Sequence, residues 1–284
     1  ICSCKVMSKF FDDLKLYALK VLVSISKFIP DFILYLIFKI SAKIWFIIDS
    51  KRKLAVKNNL EIIIGYSNNR LIYETFENYM LNFVDFLKSK YRNCQTILSN
   101  LKVENFEILE KTYRIKNKLI LLSAHIGSWE IALNFLSCLG YKNMAIVENI
   151  DKRWLDTLND LRGSKGTKLV LNSQIREIIN FLNNEGILCV VSDRYVGGNY
   201  LYCQIFNRKR KIPIGIFKLN EKFKIPLIFA YVIRQKNYYL GIIQDFYYED
   251  NLTFENMLNF YLKNLKIAIR KYPTYWFSFD FNWL

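Results

Sequence analysis

From Lys118 onward the chain alternates short apolar runs with amphipathic segments, and that alternation restricts the fold more than any other feature. KLILLSA reads as a buried strand, and SWEIALNFLSCLG as a helix closed by Gly140. NMAIVEN is a second strand, Lys152 to Arg162 a helix and KLVLN a third strand. Ser173 is expected to cap a helix over SQIREIINFLNN, with Gly186 just past its end. ILCVVSD is a fourth strand. PLIFAYVIR and YYLGIIQDF are two more, spaced as a hairpin would be, and Phe254 to Lys271 is a last helix. Parallel neighbours need long crossovers, which helices of this length supply. The expected fold is α/β, with a largely parallel central sheet flanked by helices.

The first hundred residues have a different texture. Leu54 to Asn100 carries helical spacing, interrupted by Gly65. Tyr73, Phe76, Tyr79, Met80, Phe83 and Phe86 recur at three- and four-residue intervals, an aromatic stripe read as core. Before it, Phe28 to Ile48 is long enough to span a bilayer, for which roughly 20 apolar residues suffice. Asp31, Lys39 and Lys43 interrupt it, and a charge near the centre of a span costs at least about 2.5 kcal/mol. Lys39 and Lys43 are four apart and share a face. An interfacial helix, or a shallow anchor with snorkelling lysines, is therefore expected, followed by the basic cluster Lys51, Arg52 and Lys53. No small-residue cleavage site follows, so a removed signal peptide is not expected. The division is a membrane-associated N-terminal helical segment over residues 1–53 and an α/β domain over 54–284.

Net charge is +16, from 41 basic and 25 acidic residues, which calls for an anionic partner. No nucleic-acid reader motif is recognisable, and the hydrophobic segment points to lipid instead. The six cysteines form no CxxC pair and have no histidine nearby, so a zinc site is not expected. Cys138 and Cys189 lie in apolar runs and read as buried thiols in a reducing, cytosol-facing setting.

The only histidine, His125, stands at the end of the first strand in AHIGSWE, five residues before Glu130. Five positions along one helix rotate by about 500°, so the pair could not share a helical face. Across a strand–turn–helix bend, with Gly127 permitting the turn, imidazole and carboxylate can meet. In open α/β sheets, the strand carboxyl ends are where ligands bind. Glu130 would then orient His125 as a base, and backbone N–H groups at the helix start could meet an oxyanion. A glutamate in a first helical turn is equally favoured by the dipole and by capping.

AHIGSWE resembles the H-x4-[DE] motif of membrane acyltransferases, in the H-x-G-x-W-E form of the bacterial lipid A late acyltransferases, the lauroyl/myristoyl family. Pro30 with the hydrophobic segment, and RKLAVKNNL from Arg52, are similar to that family's N-terminal pattern. LRGSKG resembles its R-x-x-x-G element, giving Arg162 and Gly166, and VVSDRYVGG its loop aspartate, giving Asp193. CQIFNRKRKIPIGIFKLNEKFKIPLIFAYV is similar to the family's segment after that loop, so the likeness covers nearly the whole chain. The chain departs from the pattern in two places. Arg194 stands where glutamine is usual, and Asp280 and Asn282 come after Trp276 where a basic pair is usual.

The resemblance implies an O-acyltransferase that moves an acyl group from acyl-acyl carrier protein, or acyl-CoA, to a hydroxyl of a lipid A precursor. His125 would be the general base and Glu130 its orienter. Gly127, Ser128, Trp129, Arg162, Gly166, Asp193 and Arg194 would form the substrate site, with no metal and no cofactor beyond the thioester co-substrate. Arg162 would stabilise the oxyanion or pair with a substrate phosphate, and Asp193 would position the acceptor or pair with Arg194. Acyl carrier protein, a glycolipid acceptor and membrane lipids would be the partners, with RKRK (Arg208 to Lys211) as a docking surface. The implied location is the bacterial inner membrane, catalytic domain facing the cytosol. Another glycolipid or a lysophospholipid as acceptor, or a decayed membrane-surface binding protein, remain alternatives.

Overall fold

The computed structural model describes residues 2–249 and 252–284, with side chains from residue 12 onward. Four helices come first: α1 (Cys2–Ser26), α2 (Asp31–Ile48), α3 (Ser50–Ile64) and α4 (Asn69–Lys88). Each start has a local cause. Pro30, with φ fixed at −55°, stands just before α2. The Asp49 carboxylate accepts from the Arg52 amide to cap α3, and the Asn68 side chain accepts from the Leu71 amide to cap α4. Gly65 ends α3 in the left-handed region.

The aromatic stripe of α4 is core, as expected, and it packs on α2. Trp45 meets Phe76 edge-on at 4.5 Å, and Phe46 meets Tyr73 and Phe38 meets Phe83 at 5.7 Å each. That contact buries Leu34, Phe38 and Ala42 of α2. On its other side Phe32, Leu36, Ile40, Ile44 and Ile48 recur every four residues and are all exposed. Among the described residues no helix is long and apolar enough to cross a membrane. Lys39 pairs with Glu77 of α4 at 2.9 Å. Lys43 is exposed.

After α5 (Cys94–Asn100) the chain builds a seven-stranded sheet. Its elements are β1 (Leu101–Glu104), α6 (Phe106–Arg114), β2 (Lys118–Ser123), α7 (Trp129–Cys138), β3 (Asn143–Val147), α8 (Lys152–Arg162), β4 (Lys168–Leu171), α9 (Ile175–Asn183) and β5 (Gly186–Val191). Then come β6 (Tyr200–Ile205), β7 (Arg208–Pro213), α10 (Gly215–Phe223), β8 (Leu227–Arg234), β9 (Tyr239–Tyr247) and α11 (Phe254–Lys271). The sheet order is β1-β9-β8-β2-β5-β3-β4, and β6 and β7 form a separate antiparallel hairpin. Strands β8, β2, β5, β3 and β4 are mutually parallel, and β9 runs antiparallel to β8 with β1 parallel to it. The expected α/β class and largely parallel sheet are present. One face of the sheet packs on α6 and α7 through Leu109, Leu133 and Leu136, the other on α11 through Tyr261, Leu265 and Ile269.

Three local expectations are corrected. Ser173 does not cap α9: its hydroxyl donates to Asn149 Oδ1 at 2.6 Å, and Gln174 stands in the cap position. RKRK, expected as a docking surface, is part of strand β7, and Arg210 within it is buried rather than presented to a partner. Cys138 is not a lone thiol: α5 packs on α7 with the Cα atoms 5.3 Å apart, and Cys94 and Cys138 form a disulfide. Cys189 and Cys203 are free and buried, and burial pushes the Cys189 thiol up to about 12. The side chains of Cys2 and Cys4 lie outside the described residues. Reducing the disulfide opens a 44-residue separation, which loop entropy values at up to about 4 kcal/mol. A Cys94→Ser/Cys138→Ser variant should lose stability of that order in urea titration, and no loss would refute the crosslink.

Candidate active site

Strands β2 and β5 are parallel neighbours, with Ser123 paired to Val191. Two residues further along each lie His125 and Asp193, so the register itself brings them together beyond the strand ends. Asp193 Oδ1 accepts from the His125 amide at 3.0 Å and lies 2.8 Å from His125 Nδ1. Its other oxygen accepts from the Trp276 indole N–H at 2.8 Å. Burial alone would raise this carboxyl's pKa. The charge and hydrogen bond of His125, the indole and Arg210 outweigh burial and hold Asp193 at about 2. It is therefore an acceptor only, so the neutral imidazole must carry its proton on Nδ1 and keep the Nε2 lone pair free.

The turn after His125 is pinned on two sides. Gly127 has φ +63°, and a Cβ there would fall 1.9 Å from the Val232 carbonyl oxygen, so only glycine fits. Its amide donates to the Tyr275 carbonyl at 2.9 Å, and the Ser128 amide donates to the Val232 carbonyl at 2.6 Å. Both amides are thus committed to the fold. Behind the site, Arg210 is sandwiched between Trp276 and Trp283 at 5.1 Å from each ring. It donates to the Asp193 carbonyl at 3.2 Å and pairs with Asp280 at 3.1 Å. The departure at Asp280 therefore places a half-buried carboxylate against buried Arg210, a pair that holds the C-terminal strap.

Glu130 does not meet His125. It is buried, accepts from Arg162 Nε at 2.8 Å and 2.9 Å through its two oxygens, and accepts from the Trp129 indole at 3.0 Å. Arg162 Nη2 also donates to Glu130 Oε1, so two guanidinium nitrogens grip one carboxylate, a strong charge-assisted arrangement, and Arg162 comes from the end of α8. The expected His125–Glu130 contact is thus corrected to two neighbouring pairs, His125–Asp193 and Glu130–Arg162. The Trp129 ring links them, edge-on to the imidazole at 5.6 Å.

A cavity of about 1030 Å³ opens at these residues. His125, Trp129, Arg162 and Arg194 line its polar part, and Leu121, Leu133, Leu136 and Ile243 an apolar part against the sheet. Arg194 pairs with Glu148, not with Asp193. Gly166 ends a short 3-10 turn with φ +107° and does not line the cavity, and neither do Gly127, Ser128 or Asp193. Ser128 is buried and its hydroxyl donates to Asp85 Oδ2 at 2.7 Å. Asp85 escaped the sequence reading, although an aspartate inside the apolar run FVDFL asks for a buried partner.

The depressed Asp193 carboxyl makes a signed prediction. A folded-state pKa below the unfolded one stabilises above about pH 4 and is lost as pH falls toward 2. Asp193→Asn should lose roughly 2 kcal/mol less stability than the native chain over that interval in denaturant titrations. Equal losses would contradict the arrangement.

A search of curated proteins found no match. The family model described as bacterial lipid A biosynthesis acyltransferase matches residues 8–284, nearly the whole chain, and the chain belongs to that family.

Proposed function

We propose that the protein moves a fatty acyl group from acyl-acyl carrier protein, or acyl-CoA, to a hydroxyl of a lipid A precursor. His125 is the general base and Asp193, in place of Glu130, its orienter. The observation that carries this reading is the Asp193–His125 bond at 2.8 Å beside a large, partly apolar cavity. A free alkoxide is inaccessible at neutral pH, so the hydroxyl must give up its proton as it attacks. Nε2 takes that proton while the oxygen adds to the thioester carbonyl. The oxyanion collapses, the carbon–sulfur bond breaks, and the imidazolium returns the proton to the departing sulfur. Arg162, locked by Glu130, offers a fixed positive charge to the oxyanion or to a substrate phosphate. The apolar part of the cavity suits an acyl chain.

In this reading the exposed row of α2 lies in the lipid interface of the bacterial inner membrane. Its regular spacing and the adjoining Lys51, Arg52 and Lys53 support that placement. The net charge of +16 suits both anionic headgroups and an acidic carrier protein.

His125→Ala should lower the turnover of purified protein, with acyl-carrier protein and lipid A precursor, by about 10²- to 10⁴-fold. Turnover like the native chain's would sink the proposal, and activity confined to another glycolipid would change the acceptor. Glu130→Ala has a different signature: it strands a largely buried Arg162 and should cost about 3–5 kcal/mol of stability in thermal or urea unfolding. A stable Glu130→Ala protein would show that the pair is dispensable to the fold.

A further inference from the structure

One buried charge cluster has no part in the chemistry above. Asp85, fully buried on α4, accepts from Arg92 at 3.0 Å and from Ser128 at 2.7 Å, and from Arg234 and Tyr239. Arg92 reaches on to α2, donating to Asp31 at 3.1 Å and to the Tyr35 hydroxyl at 3.0 Å. The Arg234 guanidinium lies 4.5 Å from the Tyr35 ring and 4.8 Å from the Tyr239 ring. Asp85, Arg92 and Arg234 are largely buried, and the network reaches half-exposed Asp31, which Lys88 also pairs at 3.2 Å, so it draws on α2, α4, the connection after α4, β8 and β9. Taking the charges of Asp85, Arg92 and Arg234 out of water is expensive, and hydrophobic residues of the same volume would serve stability as well or better. The network therefore calls for a reason beyond stability.

Ser128 supplies one. It occupies the cap position of α7, where a serine ordinarily accepts from the helix amides, yet it makes no side-chain cap bond. Its hydroxyl is turned away, into Asp85. The helix gives up a cap so that the turn His125–Trp129 is gripped from behind. On its other side the same turn is held by Val232, two residues before Arg234 of the network. Asp85, Ser128 and Arg234 thus bracket the segment that carries the imidazole on one side and Glu130 on the other.

We propose that Asp85 is a positioning residue, which through Ser128 fixes the turn that holds His125 in the geometry for proton transfer. This rests on His125 as the base. Ser128→Ala removes the link alone, since Asp85 keeps Arg92, Arg234 and Tyr239 and the chain keeps its fold. A small displacement of a reacting group can cost on the order of 10² in rate, so kcat should fall about that much. KM for both substrates should stay within about twofold. In a His125→Ala background the same substitution should change nothing, because the group it positions is gone. A kcat within about threefold of the native chain's, or an equal loss with and without His125, overturns the proposal.

A second readout does not depend on activity. His125 is the only histidine, so ¹⁵N-histidine labelling of untagged protein in micelles reports one imidazole. Ser128→Ala should broaden or split its signals through exchange between ring positions, and an unchanged spectrum overturns the proposal. If the native chain transfers no acyl group, the functional reading fails, and the spectrum alone decides whether Asp85 fixes the ring.

Discussion

The Asp193 carboxylate is the point on which the site closes. It sits past the end of β5 and takes hydrogen bonds from the amide and ring of His125, past the end of β2, and from the Trp276 indole of the C-terminal strap. One side chain thus ties two parallel strands and a distant segment together in a buried place. A buried carboxylate is tolerable only when its lone pairs are filled, and here His125, Trp276 and Arg210 keep it ionised against the cost of burial. The same bonds that make the charge tolerable also fix the imidazole's orientation. Loss of any partner would weaken both.

Around this point lie three further charge groupings with distinct roles. Arg162 faces the cavity and is paired with buried Glu130 behind it, with Trp129 between the pair and His125. Arg210, between two tryptophans, anchors the strap that carries Trp276. Asp85 reaches Ser128 from behind and, through Arg92, touches α2, the helix with the exposed apolar row. In the proposed arrangement that row lies on the membrane, so the lipid-facing helix and the catalytic turn belong to one connected set of buried contacts.

Much of the architecture was legible because its signals are local. The strand–helix alternation from Lys118, the limits of α8 and α11 and the core stripe of α4 stem from periodicity, caps and glycines, which act within a few residues. The site was legible only in part. Spacing alone suggested Glu130 as the partner of His125, whereas the actual partner is set by β2 and β5 being adjacent, a non-local fact of topology. Glu130 was free to find Arg162 from another helix for the same reason. The Arg208–Lys211 run looked like surface because four basic residues in a row usually are, and only the tryptophans of the far C-terminus bury Arg210. The Cys94–Cys138 pair depended on α5 and α7 meeting, which no CxxC spacing announces.

The central claim is that Asp193 holds the neutral imidazole in its Nδ1–H form, leaving Nε2 free to take a proton. The ¹⁵N spectrum of the single histidine, recorded at about pH 8 where a free imidazole is neutral, tests this directly. The account predicts a protonated Nδ1 and an unprotonated Nε2 in the native chain, with that preference lost in Asp193→Asn. A histidine protonated on Nε2, or a tautomer indifferent to Asp193→Asn, would contradict it.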